Sequence, residues 1–241
     1  MLRGFEDRRD AGRQLAAELR QYAGRPDVLV LGLARGGIPV ANEVARALDL
    51  ALDIFIVRKL GVDGHEELEM GAIASGEVQV LDDRLIRTLH IPQSAVANVV
   101  TQERRELERR ESTYRAGRLA PDVTGRTVIL VDDGLATGAS MFAAISALRK
   151  ANPAKIVVAV PVAAPEVCSA MRRVADECVC VLTPAQLYGV GAWYTDFSQT
   201  TDAEVRTILE AAARRRTPGR PSPSSAAAKR EPLTSPHTTI A

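Results

Sequence analysis

The sequence predicts an α/β protein, a three-layer α/β/α sandwich around a mostly parallel central sheet of about five strands. Over residues 27–57 a strand, a short loop, a helix and a second strand follow one another directly. The same alternation of strands and helices returns over residues 127–182. The strands of both regions are almost uninterrupted apolar runs, which is typical of parallel strands covered by helices on both faces.

The first unit contains every element of a strand–helix–strand crossover. DVLVLG (27–32) is the first strand, ARGG (34–37) is a short loop, and IPVANEVARALD (38–49) is a helix. LDIFIV (52–57) is the second strand. Because neighbouring parallel strands need a crossover of this kind, the two strands are expected to pair in parallel. An amphipathic helix over 6–23 precedes the unit.

The second unit supplies three further strands. TVILVD (127–132), KIVVAVP (155–161) and ECVCVL (177–182) are the strands, and helices over 139–151 and 165–175 separate them. Pro165 favours a helix start, since proline fits the first helical turn. With the two earlier strands, this makes five in the central sheet.

Two segments do not fit the alternation. Residues 58–76 are rich in glycine and acidic residues, so we predict a flexible loop over about 60–75. Residues 94–116 predict a highly charged helix with a solvated face, on which Glu106 and Arg110 stand at i,i+4 spacing.

A single domain is predicted over residues 1–214, followed by a tail. Thr201 and Glu204 form a capping box that starts the last helix. Residues 217–241 are rich in Pro, Ser and Ala, so we predict a disordered basic tail. From 214 onward six basic residues face one acidic residue, which leaves the rest of the chain acidic and argues against a nucleic-acid partner.

The composition also limits location and metal chemistry. No apolar run is long enough for a membrane span, and the first residues do not resemble a signal peptide. The cysteines at 168, 178 and 180 are an odd number with no histidine nearby, so we expect reduced, buried thiols and no zinc site. These features favour the cytoplasm.

The most informative stretch is VILVDDGLATGAS, residues 128–140, in which a buried strand ends on Asp132 and Asp133. Ligands of open α/β sheets bind at the carboxyl ends of the strands. The bare loop leads into a helix near Ala139, whose free N–H groups and dipole favour a phosphate. Phosphate donors beside two acids suit a sugar phosphate, whose hydroxyls can donate to the carboxylates.

Other readings of this stretch are weaker. An Asp-terminated strand followed by Gly is also a common turn, and the apolar run before two acids is similar to a Walker B strand. However, GxxxxGK[ST] is absent upstream, and GxGxxG, GxSxG and HExxH are also missing. A nucleotide triphosphatase and the usual hydrolases are therefore not expected.

The stretch resembles the phosphoribosyl pyrophosphate (PRPP) motif of type I phosphoribosyltransferases, in which four apolar residues precede two acids and a small-residue loop containing Thr-Gly. LARGGIPVA (33–41) resembles the pyrophosphate loop of that family, which often has a cis peptide, here between Ala34 and Arg35. The resemblance covers roughly residues 5–214. It implies the type I phosphoribosyltransferase fold with a small hood at about 183–200.

The resemblance implies that Asp132 and Asp133 bind the ribose hydroxyls and support Mg²⁺ through water. Arg58 and Lys59 would face the leaving pyrophosphate, unless they only form a solvated strand exit. The loop that would hold the 5-phosphate is Gly134, Leu135, Ala136, Thr137, Gly138, Ala139 and Ser140. The loop that would hold pyrophosphate is Ala34, Arg35, Gly36 and Gly37.

The resemblance leaves the acceptor base open. The hood candidate QLYGVGAWYTDFSQ (186–199) holds Trp193, Tyr194 and Phe197, which either stack on a base or pack locally. Loop 60–75, with acids at 66, 67 and 69, would be the closing lid, although His65 and these acids also fit an exposed loop. A homodimer using helix 94–116 is one arrangement that the family implies.

Two functions follow from this resemblance. One is a Mg²⁺-dependent enzyme that transfers the 5-phosphoribosyl group of PRPP to a nitrogenous base and releases pyrophosphate, in nucleotide salvage. The other is a regulatory module that binds PRPP or a nucleotide without turnover. An enzyme needs a lid over the site, whereas a sensor does not.

Overall fold

The computed structural model describes residues 4–62, 65–76 and 78–215. The strands, in chain order, are β1 (Val28–Leu33), β2 (Ala51–Phe55), β3 (Val57–Val62), β4 (His65–Ala74), β5 (Val78–Leu81), β6 (Thr127–Val131), β7 (Lys155–Val162) and β8 (Glu177–Leu182). The helices are α1 (Arg8–Glu18), α2 (Gly37–Ala47), α3 (Asp83–Thr88), α4 (Gln93–Arg115), α5 (Ala139–Lys150), α6 (Pro165–Met171) and α7 (Asp202–Arg215). Short 3-10 turns occur at Arg20–Tyr22 and Val190–Trp193.

The central sheet has five parallel strands in the order β2-β1-β6-β7-β8. The fold class and the five central strands predicted from the sequence are therefore confirmed. The chain moves from β1 outward to β2 in one direction, and from β6 outward to β8 in the other. The order therefore reverses between β1 and β6, and a crevice opens at the carboxyl ends of these two strands.

Helices cover both faces of the sheet because successive strand residues point to opposite sides. Leu29 and Leu31 of β1 pack with α5 and α6 on one face. Val28 and Val30 pack with α1 and α2 on the other face. Since all six residues of β1 are buried, this strand has no polar side and fixes the middle of the molecule.

The prediction of a loop over residues 60–75 is wrong in its secondary structure. β3 and β4 pair as antiparallel strands, and β5 adds to β4, which makes a separate three-stranded sheet. The register shifts on both sides of Gly61, and Gly71 has a φ of 155°. These irregularities break the period-two pattern by which a strand is recognised, so the sequence here looks like a loop.

The charged helix is confirmed as α4, which packs its buried residues Val96, Leu107 and Tyr114 against β3, β4 and α7. Its opposite face carries the predicted Glu106–Arg110 ion pair, with 2.7 Å between Oε1 and Nε. In the described part of the chain, no helix combines the length and apolar character that crossing a bilayer requires.

The expectation of three reduced cysteines is corrected by a disulfide between Cys168 on α6 and Cys180 on β8. Cys178 is a buried free thiol whose Sγ lies 3.7 Å from that of Cys180, so the two share one face of β8 as predicted. The three sulfurs lie within 4.8 Å of one another, which alternation along a strand cannot reveal because α6 supplies one of them.

The end of the domain follows its predicted signal. The Glu204 amide donates to the Thr201 hydroxyl, 3.2 Å away, and α7 begins at Asp202. The predicted disordered tail, 217–241, lies outside the described residues.

Replacing the cap, Thr201→Ala, should lower the free energy of unfolding by about 1 kcal/mol, because an orphan amide of the first turn loses its acceptor. Chemical denaturation measures this loss. Thr207→Ala is the matched control, since the Thr207 hydroxyl donates to the Ala203 carbonyl inside the same helix and caps nothing. Equal losses in both variants would show that the cap contributes no stability.

Candidate active site

The crevice at the ends of β1 and β6 brings together two loops that are distant in sequence. The loop after β1 contains Gly36 and Gly37, and the loop after β6 contains Asp132 and Asp133. Val131 pairs with Gly32 in the parallel register, so both strands end at the same height. The structure thus joins the two loops that the sequence analysis assigned to pyrophosphate and ribose.

The two glycines are necessary because the loops touch. A Cβ on Gly36 would lie 2.1 Å from Oδ2 of Asp133, and one on Gly37 would lie 2.6 Å from the carbonyl oxygen of Val131. Neither distance can be tolerated, and the second contact is to rigid backbone. Glycine at both positions therefore allows the loop predicted to hold pyrophosphate to lie directly against the acids.

The peptide bond between Ala34 and Arg35 is cis, as the resemblance predicts. The Arg35 side chain is half-exposed, and Nη1 lies 3.3 Å from Oδ1 of Asp202, a residue of α7. Asp202 also accepts a hydrogen bond from the Tyr114 hydroxyl at 2.7 Å, which lowers the pKa of this carboxyl. Arg35 is therefore held at the rim of the crevice by an exchangeable ion pair.

The loop after the acids ends at the first turn of α5. Gly138 has a φ of 75°, which favours glycine, and a Cβ there would lie 2.6 Å from Cε of Met171. The Ala139 amide faces the Thr137 hydroxyl oxygen at 3.4 Å, and the side chains of Thr137 and Ser140 are exposed. The helix dipole, the amides of the first turn and the exposed hydroxyls are the features that the prediction of an anion site requires.

Leu135 differs from the other residues predicted to hold the 5-phosphate. Its side chain is buried in the core, and its amide donates to the Val162 carbonyl at 2.9 Å. Leu135 therefore anchors the loop to β7, and its side chain has no access to the crevice. A Cβ on Gly134 would lie 2.5 Å from Cγ1 of Val190, so the hood contacts this loop.

The two acids are electrostatically strained. Burial, and then repulsion by Asp133, raise the pKa of Asp132 well above its ordinary value. Burial also raises the pKa of Asp133, although the Arg8 guanidinium opposes that rise. Asp132 Oδ1 accepts a hydrogen bond from the Asp133 amide at 2.9 Å. Two adjacent buried carboxylates in this state favour any ligand that supplies donors or positive charge.

Tyr194, which the sequence analysis offers as a stacking residue, is packed inside the hood. This residue is 7% exposed, and its ring lies between Phe5 and Phe197, with centroid distances of 5.4 and 5.0 Å. Its hydroxyl donates to the carbonyl oxygen of Asp133 at 2.5 Å. This packing agrees with the alternative interpretation, local packing, and stacking of Tyr194 on a base stays a prediction.

The other two predicted aromatics are also engaged. The Arg8 guanidinium covers one face of Phe197, 3.9 Å from the ring centroid. Trp193 is partly buried against the cluster of Phe5 and Tyr194. The hood aromatics therefore build the hood itself, and stacking by Phe197 or Trp193 remains a prediction.

Arg58 and Lys59 lie on β3, outside the two loops. Arg58 pairs with Glu103 of α4 at 2.5 Å, and Lys59 pairs with Glu69 across the hairpin. Both cations are therefore neutralised, as is usual for charged residues at a strand exit. Their predicted contact with a leaving group requires these ion pairs to open. The side chains at 66 and 67 lie outside the described part of the chain.

Comparison with known proteins agrees with this geometry. A family model described as the phosphoribosyl transferase domain matches residues 5–191, which contain both loops and the first half of the predicted hood at 183–200. The chain belongs to this family. Residues 5–191 therefore carry a phosphoribosyl transferase domain.

Individual relatives support the family assignment. A Mycobacterium tuberculosis (strain H37Rv) protein with the provisional name phosphoribosyl transferase is 45% identical over 210 residues, 87% of this chain and 47% of that protein. The chain thus spans about half the length of this curated relative. The crystal structure of TT1426 from Thermus thermophilus is 43% identical with a TM-score of 0.76, covering 86% of this chain and 97% of that one.

The name of one further relative specifies a base. The uracil phosphoribosyltransferase of Acinetobacter baylyi is 41% identical over 78 residues, which is 32% of this chain and 36% of that protein.

The sequence analysis did not single out Tyr188 of the hood or Arg8 of α1. Tyr188 is 89% exposed in the hood, two residues before Val190. The low aromatic content of the chain was the signal that could have selected it. Arg8 forms an ion pair with Asp133 across 125 residues of sequence, and no local pattern announces such a contact.

Asp132→Asn should raise the thermal midpoint of the protein in EDTA at pH 8. An Asp whose folded pKa is raised contributes stability below its unfolded pKa of about 3.9 and loses it as pH rises through the folded pKa. Asparagine never ionises and can still accept the Asp133 amide. The gain should therefore shrink as pH falls toward 4, which calorimetric melting at several pH values measures.

Asp176→Asn is the control of opposite sign. Its hydrogen bond from Arg149 lowers the pKa of this carboxyl, so its stabilisation is present above pH 4 and lost in acid. This variant should be destabilised at pH 8 and approach the parent at low pH. A loss for Asp132→Asn that is constant with pH would contradict the strained acid pair.

Proposed function

We propose that the protein is a Mg²⁺-dependent phosphoribosyltransferase that transfers the 5-phosphoribosyl group of PRPP to a planar nitrogenous base in the cytoplasm, in nucleotide salvage. A base nitrogen forms a bond to C1 of the ribose, while the bond from C1 to the pyrophosphate oxygen breaks. The electron pair of that bond leaves with pyrophosphate. The partners are therefore PRPP and a base, and a homodimer stays a prediction.

One observation carries this proposal: two glycine-containing loops, each leading into a helix N-terminus, meet at one pair of acids. The loop at Gly36 and Gly37 lies against Asp133, and the first turn of α5 follows the acids within six residues. A ligand with a phosphate at one end, hydroxyls in the middle and pyrophosphate at the other end matches this order. PRPP has that arrangement, and its ribose would meet the acids.

The acid pair fits a magnesium ion. Asp132 and Asp133 are hard oxygen donors, and their burial and mutual repulsion favour a divalent cation that neutralises them. Magnesium supplies charge neutralisation of the leaving pyrophosphate. The carboxylates would support it through water while their remaining oxygens accept the ribose hydroxyls.

Cations of the chain would assist the leaving group after their present ion pairs exchange. Arg35 is paired with Asp202, and Arg58 and Lys59 are paired with Glu103 and Glu69. Pyrophosphate carries more negative charge than a single carboxylate, so it competes well for such partly exposed cations. The β3–β4 hairpin that carries Lys59 takes the place of the predicted lid.

Tyr188 is the aromatic residue best placed to contact the base. Its ring is exposed, and Val190, two residues further along the chain, lies against Gly134 of the loop after the acids. Its hydroxyl donates to Gln186 at 2.6 Å, which restrains the side chain. A planar base could stack on this ring while its nitrogen approaches C1.

The second candidate function is a regulatory module that binds PRPP without turnover. The ion pairs of Arg58 and Lys59 favour it, since both cations expected at the leaving group are occupied in the hairpin. A module that keeps these pairs would bind the sugar phosphate and leave pyrophosphate in place.

The decisive experiment incubates the purified chain with PRPP, Mg²⁺ and one of six bases: uracil, orotate, adenine, guanine, hypoxanthine or xanthine. Pyrophosphate release is expected with at least one base and should disappear in EDTA. Calorimetry of PRPP binding accompanies the assay. Binding without release for every base would reject the enzyme in favour of the regulatory module, and absence of binding would reject both.

Tyr188→Ala should raise the KM for the base at least about fivefold, because base–aromatic stacking contributes about 1 kcal/mol or more. The affinity for PRPP should be unchanged. Tyr188→Phe keeps the ring and is the control that should retain the parent KM. If Tyr188→Ala weakened PRPP and base equally, the residue would not be a base contact.

A further inference from the structure

Arg8, the first residue of α1, contacts both the acid pair and the hood. Its Nε and Nη2 each lie 2.8 Å from one oxygen, Oδ2, of Asp133. Its Nη1 donates to the carbonyl oxygen of Ser198 at 2.6 Å, and its guanidinium stacks on Phe197. All the hydrogen-bonding nitrogens and one face of this side chain are therefore used.

The contact is shielded from water, which makes it stronger than an ordinary surface ion pair. The side chains of Arg8 and Asp133 are 12% and 15% exposed. A charge pair in such a place is less screened by solvent and salt than an exposed one. The planar guanidinium also suits simultaneous pairing with a carboxylate and stacking on a ring, which lysine cannot reproduce.

The segment before Arg8 is fixed to the hood by backbone hydrogen bonds. The Phe5 amide donates to the Trp193 carbonyl at 2.8 Å, and the Thr195 amide donates to the Phe5 carbonyl at 2.9 Å. A Cβ on Gly4 would lie 2.4 Å from the Trp193 carbonyl oxygen. Arg8 therefore extends from a strip of chain that already belongs to the hood.

The pairing leaves half of the Asp133 carboxylate available. Arg8 and Gly36 approach Oδ2, whereas no side chain within the described ranges of the chain donates a hydrogen bond to Oδ1. An ionised carboxylate held by one oxygen has a fixed plane and can offer its other oxygen to a hydroxyl. This geometry orients Asp133 toward a ligand and does not block it.

We propose that Arg8 is a positioning residue that couples the hood to the ribose-binding acid. It holds Asp133 by Oδ2, so that Oδ1 meets a ribose hydroxyl, and its contacts with Ser198 and Phe197 keep the hood over that ligand. Loss of Arg8 releases both at once. This role rests on the proposed binding of PRPP, and it does not depend on turnover.

The chain contains a reporter for this coupling, because Trp193 is its single tryptophan and lies in the hood. Four variants are compared: Arg8→Gln, Arg8→Lys, Phe197→Leu and Arg9→Gln. Arg9 is the exposed neighbour, so its variant removes the same charge without the contacts. Calorimetry with PRPP and Mg²⁺ gives the affinity, and Trp193 emission reports the hood with and without ligand.

Arg8→Gln should weaken PRPP binding roughly tenfold, since charge-assisted hydrogen bonds to a buried acid are among the strong ones. Its Trp193 emission should shift to longer wavelength as the hood loosens. Arg8→Lys should recover part of the affinity for PRPP but not the emission wavelength of the parent, since lysine restores the charge without stacking on Phe197. Phe197→Leu should shift the emission with a smaller loss of affinity, and Arg9→Gln should match the parent.

The proposal is overturned if Arg8→Gln matches Arg9→Gln in both affinity and emission. If Arg8→Gln does not fold, Arg8→Lys and Phe197→Leu decide, and parent-like emission in both overturns the coupling. If the protein is not an enzyme, the parent binds PRPP without releasing pyrophosphate. The PRPP affinities of the Arg8 variants then still test the role of Arg8. If the parent does not bind PRPP, the ribose role of Arg8 fails with it.

Discussion

The close approach of two strand ends is the constraint on which the site depends. β1 and β6 are neighbours at the reversal of the sheet order, and the loops that leave them touch. Gly36 has no room for a side chain because the Asp133 carboxylate occupies it. Within this contact one loop presents backbone amides, while the other presents carboxylates. A single sheet edge thereby offers opposite polarities a few Å apart, which a phosphorylated sugar requires.

This arrangement opposes the stability of the fold. Two carboxylates are held beside each other in a poorly solvated crevice, and burial raises the pKa of both. The sheet tolerates this strain because β1 and β6, the strands before the two loops, are buried along their whole length. A rigid site that holds like charges close together binds most strongly a ligand that relieves their repulsion. The acids at the strand end therefore depend on the buried apolar strand that precedes them.

The features predicted correctly from the sequence are those that a local pattern of residues determines. Apolar runs predicted the five parallel strands, and the VILVDDGLATGAS stretch predicted the strand end at which Asp132 and Asp133 lie. The β3–β4 hairpin was mistaken for a loop because register shifts at Gly61 hide its alternation. Tyr194 was assigned to a ligand, although it completes a packed cluster with Phe5. Arg8 was missed because its pairing with Asp133 exists only after the chain has folded. Long-range contacts decide these cases, and composition does not report them.

The strip of chain around Phe5 has a practical consequence for protein engineering. It forms backbone hydrogen bonds with Trp193 and Thr195, although it precedes the first strand of the sheet by more than twenty residues. A shortened chain that starts at β1 would keep both loops of the crevice. It would still lose the backbone hydrogen bonds that fix the hood. Affinity tags fused next to Gly4 would crowd the same place. Fusions and truncations are therefore better placed after α7, at the opposite end of the domain sequence.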